Sequence, residues 1–398
     1  MALAKRTARR MQKDAFKIED EDKRKIQQRH AIDSEDLPSL KKMLEAAQSE
    51  PALLASVKDF DADPLLLNCG NGVLDLRTGR LLEHKPDLHL TKLANVRYDS
   101  TAIAPLWEEF VKFVLPDSDI ATYLQRWFGY CLTGLATEQA ILFLVGDGQN
   151  GKSTATSTLH KILGDYAQTV NAATMIRKDK EAIRNDLADL KNIRYGMIAE
   201  YPENKPLDEA FVKSATGGEN IRARHLYNEA FEYLPAFKAV VSTNYKPIVV
   251  GSDYGIWRRI KLIHFGVRIP EERKDKDFMG KLYSERSGIL NWLLRGCLDW
   301  QKLGLQEPSG VTEGIKEYRN EMDVIAQFLN ECLVSAPGEA VAATAVHDSY
   351  KKWCALNGHS AKTQKKFGTE VTKRGINKGK DAKGCVTYTD HKLEDSGG

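Results

Sequence analysis

Residues 146–154 of the 398-residue chain read Gly146-Asp147-Gly148-Gln149-Asn150-Gly151-Lys152-Ser153-Thr154. This stretch has the spacing G-x-x-x-x-G-K-S, follows the apolar run Ala140 to Val145, and opens a helical pattern from Thr154 to Leu163. Backbone N–H groups of such a turn, together with a helix N-terminus, surround phosphate groups. Lys152 would neutralise phosphate charge, and Ser153 would offer its hydroxyl to Mg²⁺. The stretch, called the P-loop below, therefore predicts nucleotide binding.

Two more apolar runs downstream each lead to a polar residue that suits nucleotide chemistry. The run Tyr195 to Ala199 ends at Glu200, with Glu203 one short turn later, and the run Ala239 to Val241 leads to Asn244. Ligands of parallel sheets bind at the carboxyl ends of strands, so we expect these side chains near the P-loop. A carboxylate there can hold Mg²⁺ or polarise the attacking water, with Glu200 our first choice and Glu203 the second. Asn244 can position that water, although a surface acid and a turn-forming Asn are the plainer interpretations.

A pair of arginines, Arg258 and Arg259, follows the segment Gly255-Ile256-Trp257. One interpretation is a surface ion-pair site of little energetic consequence. The other is an arginine finger, which stabilises charge on the phosphoryl group in transfer and can come from a neighbouring subunit. A head-to-tail interface of that kind closes into a ring.

Composition describes an ordinary globular chain whose formal net charge is only +3, so the chain as a whole is not a polycation. Its cations cluster at residues 1–10 and 361–383, and such patches suit a polyanion partner. No apolar run approaches the roughly 18 residues of a membrane span, and no secretory signal opens the chain. The six cysteines form no C-x-x-C pair, which argues against a zinc ribbon or a redox motif. We expect a cytoplasmic protein without a membrane partner.

The texture of the sequence divides the chain into four segments. Residues 1–62 are charged and mainly helical in pattern, and residues 63–135 have the short runs of a small accessory domain. Residues 136–305 alternate strands and helices, which predicts an α/β core with a parallel sheet. Residues 306–398 form a basic tail of mixed α and β pattern.

Four blocks within about 120 residues resemble superfamily 3 helicases of the phage/plasmid and poxvirus primase-helicase type. They are the P-loop, residues 213–219 with 221–224, residues 243–247, and residues 255–260 with Phe265. A weaker likeness covers residues 65–395. One departure is Glu219, where many relatives have Asp.

The resemblance implies an AAA+-like P-loop core, a small N-terminal accessory domain and a winged-helix-like C-terminal domain. It also implies a hexameric ring that moves 3′→5′ along single-stranded DNA, with ATP and Mg²⁺ at Lys152 and Ser153. Glu200 matches the family's carboxylate and Asn244 its sensor. Spacing leaves the finger open between Arg258 and Arg259.

The segment 213–233 matches the family block that carries a hairpin into the central channel. Its candidate DNA contacts are Lys213, Arg222, Arg224, His225 and Tyr227. Cations can follow a phosphate backbone and aromatic rings can stack on bases, whereas a solvated basic face around a core Tyr is the alternative. Residues 320–398 have a parallel pair of interpretations, a reader of duplex DNA or a lysine-rich solvated domain.

Together these features predict an ATP-dependent DNA helicase for replication of a phage, plasmid or other mobile element, acting in a bacterial cytoplasm on single-stranded and forked DNA. The first 64 residues leave no room for a primase catalytic domain, so we expect a separate primase or polymerase as partner. The alternative is an ATP-switched initiator or loader that binds an origin and unwinds little. The sensor Asn and the paired arginines argue against a small-molecule kinase, and the intact Lys152-Ser153 pair argues against a scaffold.

Overall fold

The computed structural model describes residues 1–50, 56–177, 185–225, 228–251 and 253–394. The chain divides into two compact units, one of residues 1–62 with 87–91 and one of residues 63–86 with 92–398. Within the described ranges, no helix has the length and apolar character needed to cross a membrane.

The α-helices in the described part of the first unit are α1 (Ala2–Ala15), α2 (Glu21–Asp33) and α3 (Leu37–Ala47). The Asp20 carboxylate accepts hydrogen bonds from the first backbone N–H groups of α2, and Asp36 does the same for α3. Ala4 and Ala8 of α1 are buried with Leu40 of α3, so small side chains form this unit's core.

The second unit begins with an antiparallel meander of three short strands. These are β1 (Leu66–Cys69), β2 (Gly72–Asp75) and β3 (Arg80–Leu82), followed by helices α4 (Pro105–Val114) and α5 (Ser118–Tyr130). Helix α5 packs tightly on the later helix α10 (Arg286–Leu303). A Cβ on Gly129 would lie 2.1 Å from the Cys297 nitrogen, and one on Gly296 would lie 2.1 Å from the Gln125 oxygen. Only glycine permits this approach of the two backbones.

The core of the second unit is a five-stranded parallel sheet with the order β10-β4-β9-β6-β5. Its strands are β4 (Ile141–Val145), β5 (Ala167–Thr169), β6 (Tyr195–Ala199), β9 (Lys238–Thr243) and β10 (Ile260–His264). Every residue of β4 and β9 is buried, as expected for central strands covered on both faces. Helix α6 (Lys152–Leu163) starts within the P-loop, at Lys152. The expected AAA+-like α/β core is confirmed.

The remaining elements of the core surround this sheet. They are α7 (Glu209–Thr216), the two-stranded hairpin of β7 (Ile221–Ala223) and β8 (Phe231–Tyr233), α8 (Tyr254–Trp257), α9 (Phe278–Ser284) and α11 (Ser309–Met322). Helix α11 begins at Ser309, a few residues after the end of α10.

The C-terminal part folds around its own apolar core, which contains Phe328, Tyr350, Phe367 and Tyr388. Its elements are α12 (Val324–Cys332), β11 (Leu333–Ala342), α13 (Ala343–Leu356), α14 (Gln364–Lys373), β12 (Lys378–Lys380) and β13 (Val386–Leu393). The strands form an antiparallel sheet in the order β11-β13-β12. A helix pair followed by a β-hairpin is the winged-helix arrangement expected for this segment.

Two buried cations join the amino ends of the sheet strands to the turn after α5. The Lys238 ammonium donates to the carbonyl oxygens of Thr133, Leu135 and Ala236, the last two at 3.1 Å. Arg194 donates to the Leu132 oxygen at 2.5 Å. Buried backbone carbonyl groups outside regular structure need hydrogen-bond donors, and these two cations supply them. Burial lowers the pKa of Lys238 to about 7.

Candidate nucleotide site

A cavity of about 680 Å³ lies at the carboxyl end of the parallel sheet. Its lining comes from residues 148–154, 199–203 and 242–245, together with Ile269 and Lys274. The first three segments follow β4, β6 and β9, which are neighbours in the sheet. The three strand ends that the sequence predicted to meet therefore share one cavity, called the P-loop cavity below.

The P-loop owes its shape to glycine and to contacts with more distant segments. Gly148 and Gly151 have φ values of 91° and 87°, in the left-handed region that other residues rarely adopt. A Cβ on Gly151 would lie 2.9 Å from the ring of Phe110, so α4 packs directly on the loop. On the other side, the backbone N–H of Ile269 donates to the Gln149 oxygen at 2.8 Å. These contacts fix the loop before any phosphate binds.

Lys152 is buried and held by three neutral acceptors. Its ammonium donates to the Gly146 oxygen at 2.6 Å, to Asn150 Oδ1 at 3.0 Å and to Asn244 Oδ1 at 3.3 Å. Burial lowers the pKa of Lys152, and the nearby Asp147 carboxylate opposes that shift. Since none of these acceptors is ionised, a phosphate oxygen would be a stronger partner for the ammonium. The contact also brings the predicted sensor Asn244 to the predicted phosphate-binding lysine.

Glu200 has an unusual backbone conformation at the point where β6 ends. Its φ is +57°, and its N–H donates to the Ser242 oxygen at 2.9 Å, so the neighbouring strand holds the residue in this position. A positive φ in a residue other than glycine costs energy and is often kept for a functional reason. Glu200 and Glu203 are both exposed to solvent, and both line the P-loop cavity.

The oxygen atoms available to a cation in this cavity are few. Ser153 lines it with Glu200 and Glu203. Nowhere in the described ranges, this cavity included, does a group of three or more His, Cys, Asp or Glu side chains form a metal site. Mg²⁺ commonly binds through one or two carboxylates, water and substrate phosphates, so this donor set fits Mg²⁺ bound together with a nucleotide.

Arg258 and Arg259 occupy different environments, and neither lines the P-loop cavity of its own chain. Arg258 is exposed, and its Nη2 donates to Gln139 Oε1 at 2.7 Å. Arg259 is half-buried and donates to Thr216 Oγ1 at 3.1 Å and to the Gly255 oxygen at 2.5 Å. Burial and the charge of Arg258 lower the pKa of Arg259. Arg259 therefore joins α7 to α8, whereas Arg258 points to solvent.

The β7–β8 hairpin carries most of the candidate DNA contacts. Ile221 and Ala223 are buried while Arg222 and Arg224 are exposed, as the alternation of a strand requires. His225 is also exposed, and its ring lies 5.5 Å from that of Phe231.

The remaining two predicted DNA contacts are Lys213 and Tyr227. The Lys213 ammonium lies 2.9 Å from the Asp253 carboxylate, the residue that caps α8, so it belongs structurally with the arginine pair. Tyr227 lies outside the described residues.

Sequence reasoning missed three residues that line or support the P-loop cavity. Ile269 and Lys274 line it from more than a hundred positions downstream, in a segment that matches no motif. Phe110 supports the loop from the accessory region upstream. No local pattern marks these residues, because only the packing of α4 and of the segment after β10 brings them to the loop.

Comparison with known proteins agrees with this architecture. Residues 1–116 match the family described as D5 N terminal like, and residues 320–391 match the family described as Poxvirus D5 protein-like. Both matches are to D5-like families and lie at the two ends of the chain, which is called D5-like below for this similarity. The matched segments flank the core, so they are independent of the P-loop residues quoted above.

Named relatives of this D5-like chain come from large DNA viruses. A candidate helicase of Acanthamoeba polyphaga mimivirus is 28% identical over 76% of the chain and 34% of its own length. A candidate helicase of frog virus 3 is 25% identical over 66% of the chain and 29% of its own length. A candidate primase of African swine fever virus is 21% identical over 76% of the chain and 34% of its own length. The D5-like chain thus spans about a third of the length of these relatives.

Among solved structures, the apo C-terminal region of NrS-1 (residues 305–718) has the same fold. It superposes with a TM-score of 0.51 over 74% of the D5-like chain and 77% of that chain, at 13% sequence identity. A second apo form of that region gives a TM-score of 0.50.

Proposed function

We propose that this chain is an ATP-driven DNA helicase that acts in replication. The observation that carries the proposal is the contact between Lys152 and Asn244 in a cavity shared by three strand ends. A phosphate-binding cation, a carboxylate and a neutral amide in one cavity are the groups that hydrolysis of a bound triphosphate requires. The naming of relatives as candidate helicases supports DNA as the second substrate.

In the proposed reaction the P-loop holds the β- and γ-phosphates of ATP, and Lys152 exchanges its neutral acceptors for phosphate oxygens. Mg²⁺ would bind the Ser153 hydroxyl and the Glu200 carboxylate, and its charge would neutralise the phosphates. Asn244 orients the water that attacks the γ-phosphorus, and Glu200, or Glu203, accepts its proton. The bond to the β-phosphate oxygen breaks, which gives ADP and inorganic phosphate.

The proposed finger is Arg258, donated by an adjacent copy of the chain. In the described ranges no arginine lines the P-loop cavity, and Arg258 is the solvent-facing member of the pair. An arginine supplied in trans stabilises charge that develops on the γ-phosphate. Six copies joined head to tail would form a closed ring with a site at each interface.

Single-stranded DNA would pass along the β7–β8 hairpin, with 3′→5′ movement as the family resemblance implies. Exposed Arg222 and Arg224 suit contacts to the phosphate backbone that do not depend on sequence. Forked duplex would meet the winged-helix part, and a primase or polymerase activity would come from the rest of a larger protein or from a partner. The virus relatives favour replication of a viral or other mobile genome.

The deciding experiment is strand displacement on a forked duplex with wild type, Lys152→Ala and the control Lys316→Ala. Lys316 is an exposed residue of α11. We expect Lys152→Ala to lower phosphate release and unwinding roughly 100-fold or more, because the lost cation faces the site of charge development. Lys316→Ala should match wild type. Unwinding by the folded Lys152→Ala protein, or a wild type that releases no phosphate with DNA present, would refute the proposal.

A second candidate is an initiator that uses ATP to switch assembly at an origin. The lysine-rich α14 and the β12–β13 hairpin favour a duplex-binding role of this kind. The initiator would melt one specific sequence and displace little strand from an arbitrary fork, so the same fork assay separates the two functions.

A further inference from the structure

A second cavity, of about 700 Å³, adjoins the P-loop cavity. Three residues, Thr154, Ile269 and Lys274, line both. The apolar lining of the second cavity comes mainly from α4 and α9, with Leu106, Phe110, Phe113, Phe278 and Met279, and its charged lining residues are Glu109, Arg273, Lys274, Asp275 and Lys276. It is called the aromatic cavity below. Its volume lies in the range of roughly 300–1,000 Å³ that is usual for small-molecule sites.

The position of the aromatic cavity relates it to one end of a bound triphosphate. Glu200 and Asn244 mark the end where the terminal phosphate would react, and neither residue lines the aromatic cavity. Thr154, two residues beyond Lys152 on α6, lines both cavities. In a nucleoside triphosphate, the nucleoside is attached to the phosphate chain at the end opposite to the γ-phosphate. A triphosphate with its γ end at Asn244 would therefore direct its nucleoside past Thr154 into the aromatic cavity.

The chemistry of the walls suits a flat heteroaromatic ring. The Arg273 guanidinium lies 4.5 Å from the centre of the Phe113 ring, and the rings of Phe110 and Phe278 are 5.6 Å apart. Aromatic faces and a guanidinium plane attract the face of a nucleobase through stacking and cation–π contacts. Phe113 and Phe278 are each half-buried, so their exposed portions are available to a ligand.

We infer that the aromatic cavity is the nucleobase subsite of the nucleotide site, with Phe113 and Arg273 as the residues that hold the base. The inference rests on the proposed ATPase function and adds residues that no sequence motif marks. Phe110 has two roles, because the ring that lines this cavity also packs on Gly151 of the P-loop. A base that contacts Phe110 of α4 would thus touch the same side chain that packs on the P-loop.

The test compares two ligands that share phosphates and differ in the base. ATP and inorganic tripolyphosphate, each with Mg²⁺, compete against a fluorescent ATP analogue for the full-length chain. The variants are Phe113→Ala and Arg273→Ala. Arg273 is exposed, so its loss leaves the fold intact. The control is Phe16→Ala, whose ring is 71% exposed at the end of α1.

We expect each test variant to weaken the binding of ATP roughly tenfold, which is the effect of losing one stacked partner. The binding of tripolyphosphate should be unchanged. Phe16→Ala should bind both ligands as wild type does, and Lys152→Ala should weaken both. Equal weakening of ATP and tripolyphosphate by Arg273→Ala, or no weakening of either, overturns the base subsite while the ATPase proposal stands. Failure of wild type to bind either ligand refutes the ATPase proposal itself, and the base subsite with it.

Discussion

The P-loop cavity and the β7–β8 hairpin both present cations, but the two regions prepare those cations differently. Lys152 is buried and held by three acceptors, and its position is fixed by the loop, by β9 and by the segment after β10. Arg222 and Arg224 are exposed and form no ion pair with other residues that the structure describes. A small ligand can thus bind a site that is already built, whereas a polymer must order flexible cations at the surface.

This contrast predicts how much activity or binding each region should lose on substitution. Groups fixed before binding cost little reorganisation when charge develops, so their loss is severe. Exposed cations act additively through salt-sensitive interactions with phosphates, so their loss is graded. Arg258 tests this contrast best, because it is an exposed residue with a proposed role inside a cavity of another protomer.

The largest expected effect follows from Arg258→Ala, which should lower ATP turnover roughly 10³-fold while nucleotide still binds. Mixing Arg258→Ala with Lys152→Ala protein should restore part of the phosphate release, since a Lys152→Ala protomer can donate its intact Arg258 to a neighbour with an intact P-loop. Phosphate release is measured across mixing ratios at constant total protein. Mixed assemblies that form but stay inactive would place the arginine outside a shared site.

The sequence predicted the three strand ends that line the P-loop cavity, because each of them follows a local pattern. The β6 run has the observed bounds, Tyr195–Ala199, and parallel pairing alone brings its end to the P-loop. Strand β5 was missed because Ala167-Gln168-Thr169 has no apolar run, and β9 proved longer than its apolar centre.

The aromatic cavity could not be predicted, because it depends on tertiary packing. Phe113 and Arg273 lie 160 positions apart in the sequence and meet only through the packing of α4 and the segment before α9. Sequence spacing also could not distinguish the roles of Arg258 and Arg259. Burial of Arg259 against Thr216 separates it from Arg258.

A smaller effect is expected at the hairpin. Replacing Arg222 and Arg224 together by Ala should weaken single-stranded DNA binding about tenfold and reduce the salt dependence by about 0.7 in log–log slope for each phosphate that is no longer neutralised. Basal ATP hydrolysis should persist while stimulation by DNA falls.

Glu232→Ala is the matched control of opposite sign, since Glu232 is exposed directly across from Arg222 in the hairpin. It should strengthen binding. Parallel loss of basal and stimulated turnover would count against a DNA role.

The winged-helix part offers the corresponding test on duplex DNA. Lys365 and Lys366 are exposed at the start of α14, and their replacement by Glu should weaken duplex binding several-fold with unchanged basal ATP hydrolysis. Replacement of the exposed pair Lys41 and Lys42 on α3 by Glu makes the same change in net charge. If both double variants lose duplex binding equally, net charge rather than the α14 surface is responsible.

The smallest effect on activity, and the clearest effect on stability, is expected from Lys238→Met at the opposite end of the strand that leads to Asn244. Burial lowers the pKa of Lys238 from its ordinary 10.5 to about 7. Between those values the unfolded chain binds a proton that the folded chain lacks, so the free energy of unfolding rises with pH by up to about 1.4 kcal/mol per unit.

Denaturant unfolding of both proteins from pH 7 to 8.5 measures this rise. The Met variant should be less stable, because three carbonyl groups lose their donor, and its stability should lack that component of the rise with pH. Equal pH slopes in the two proteins would mean that the buried amine keeps its proton, with the carbonyl groups holding it charged.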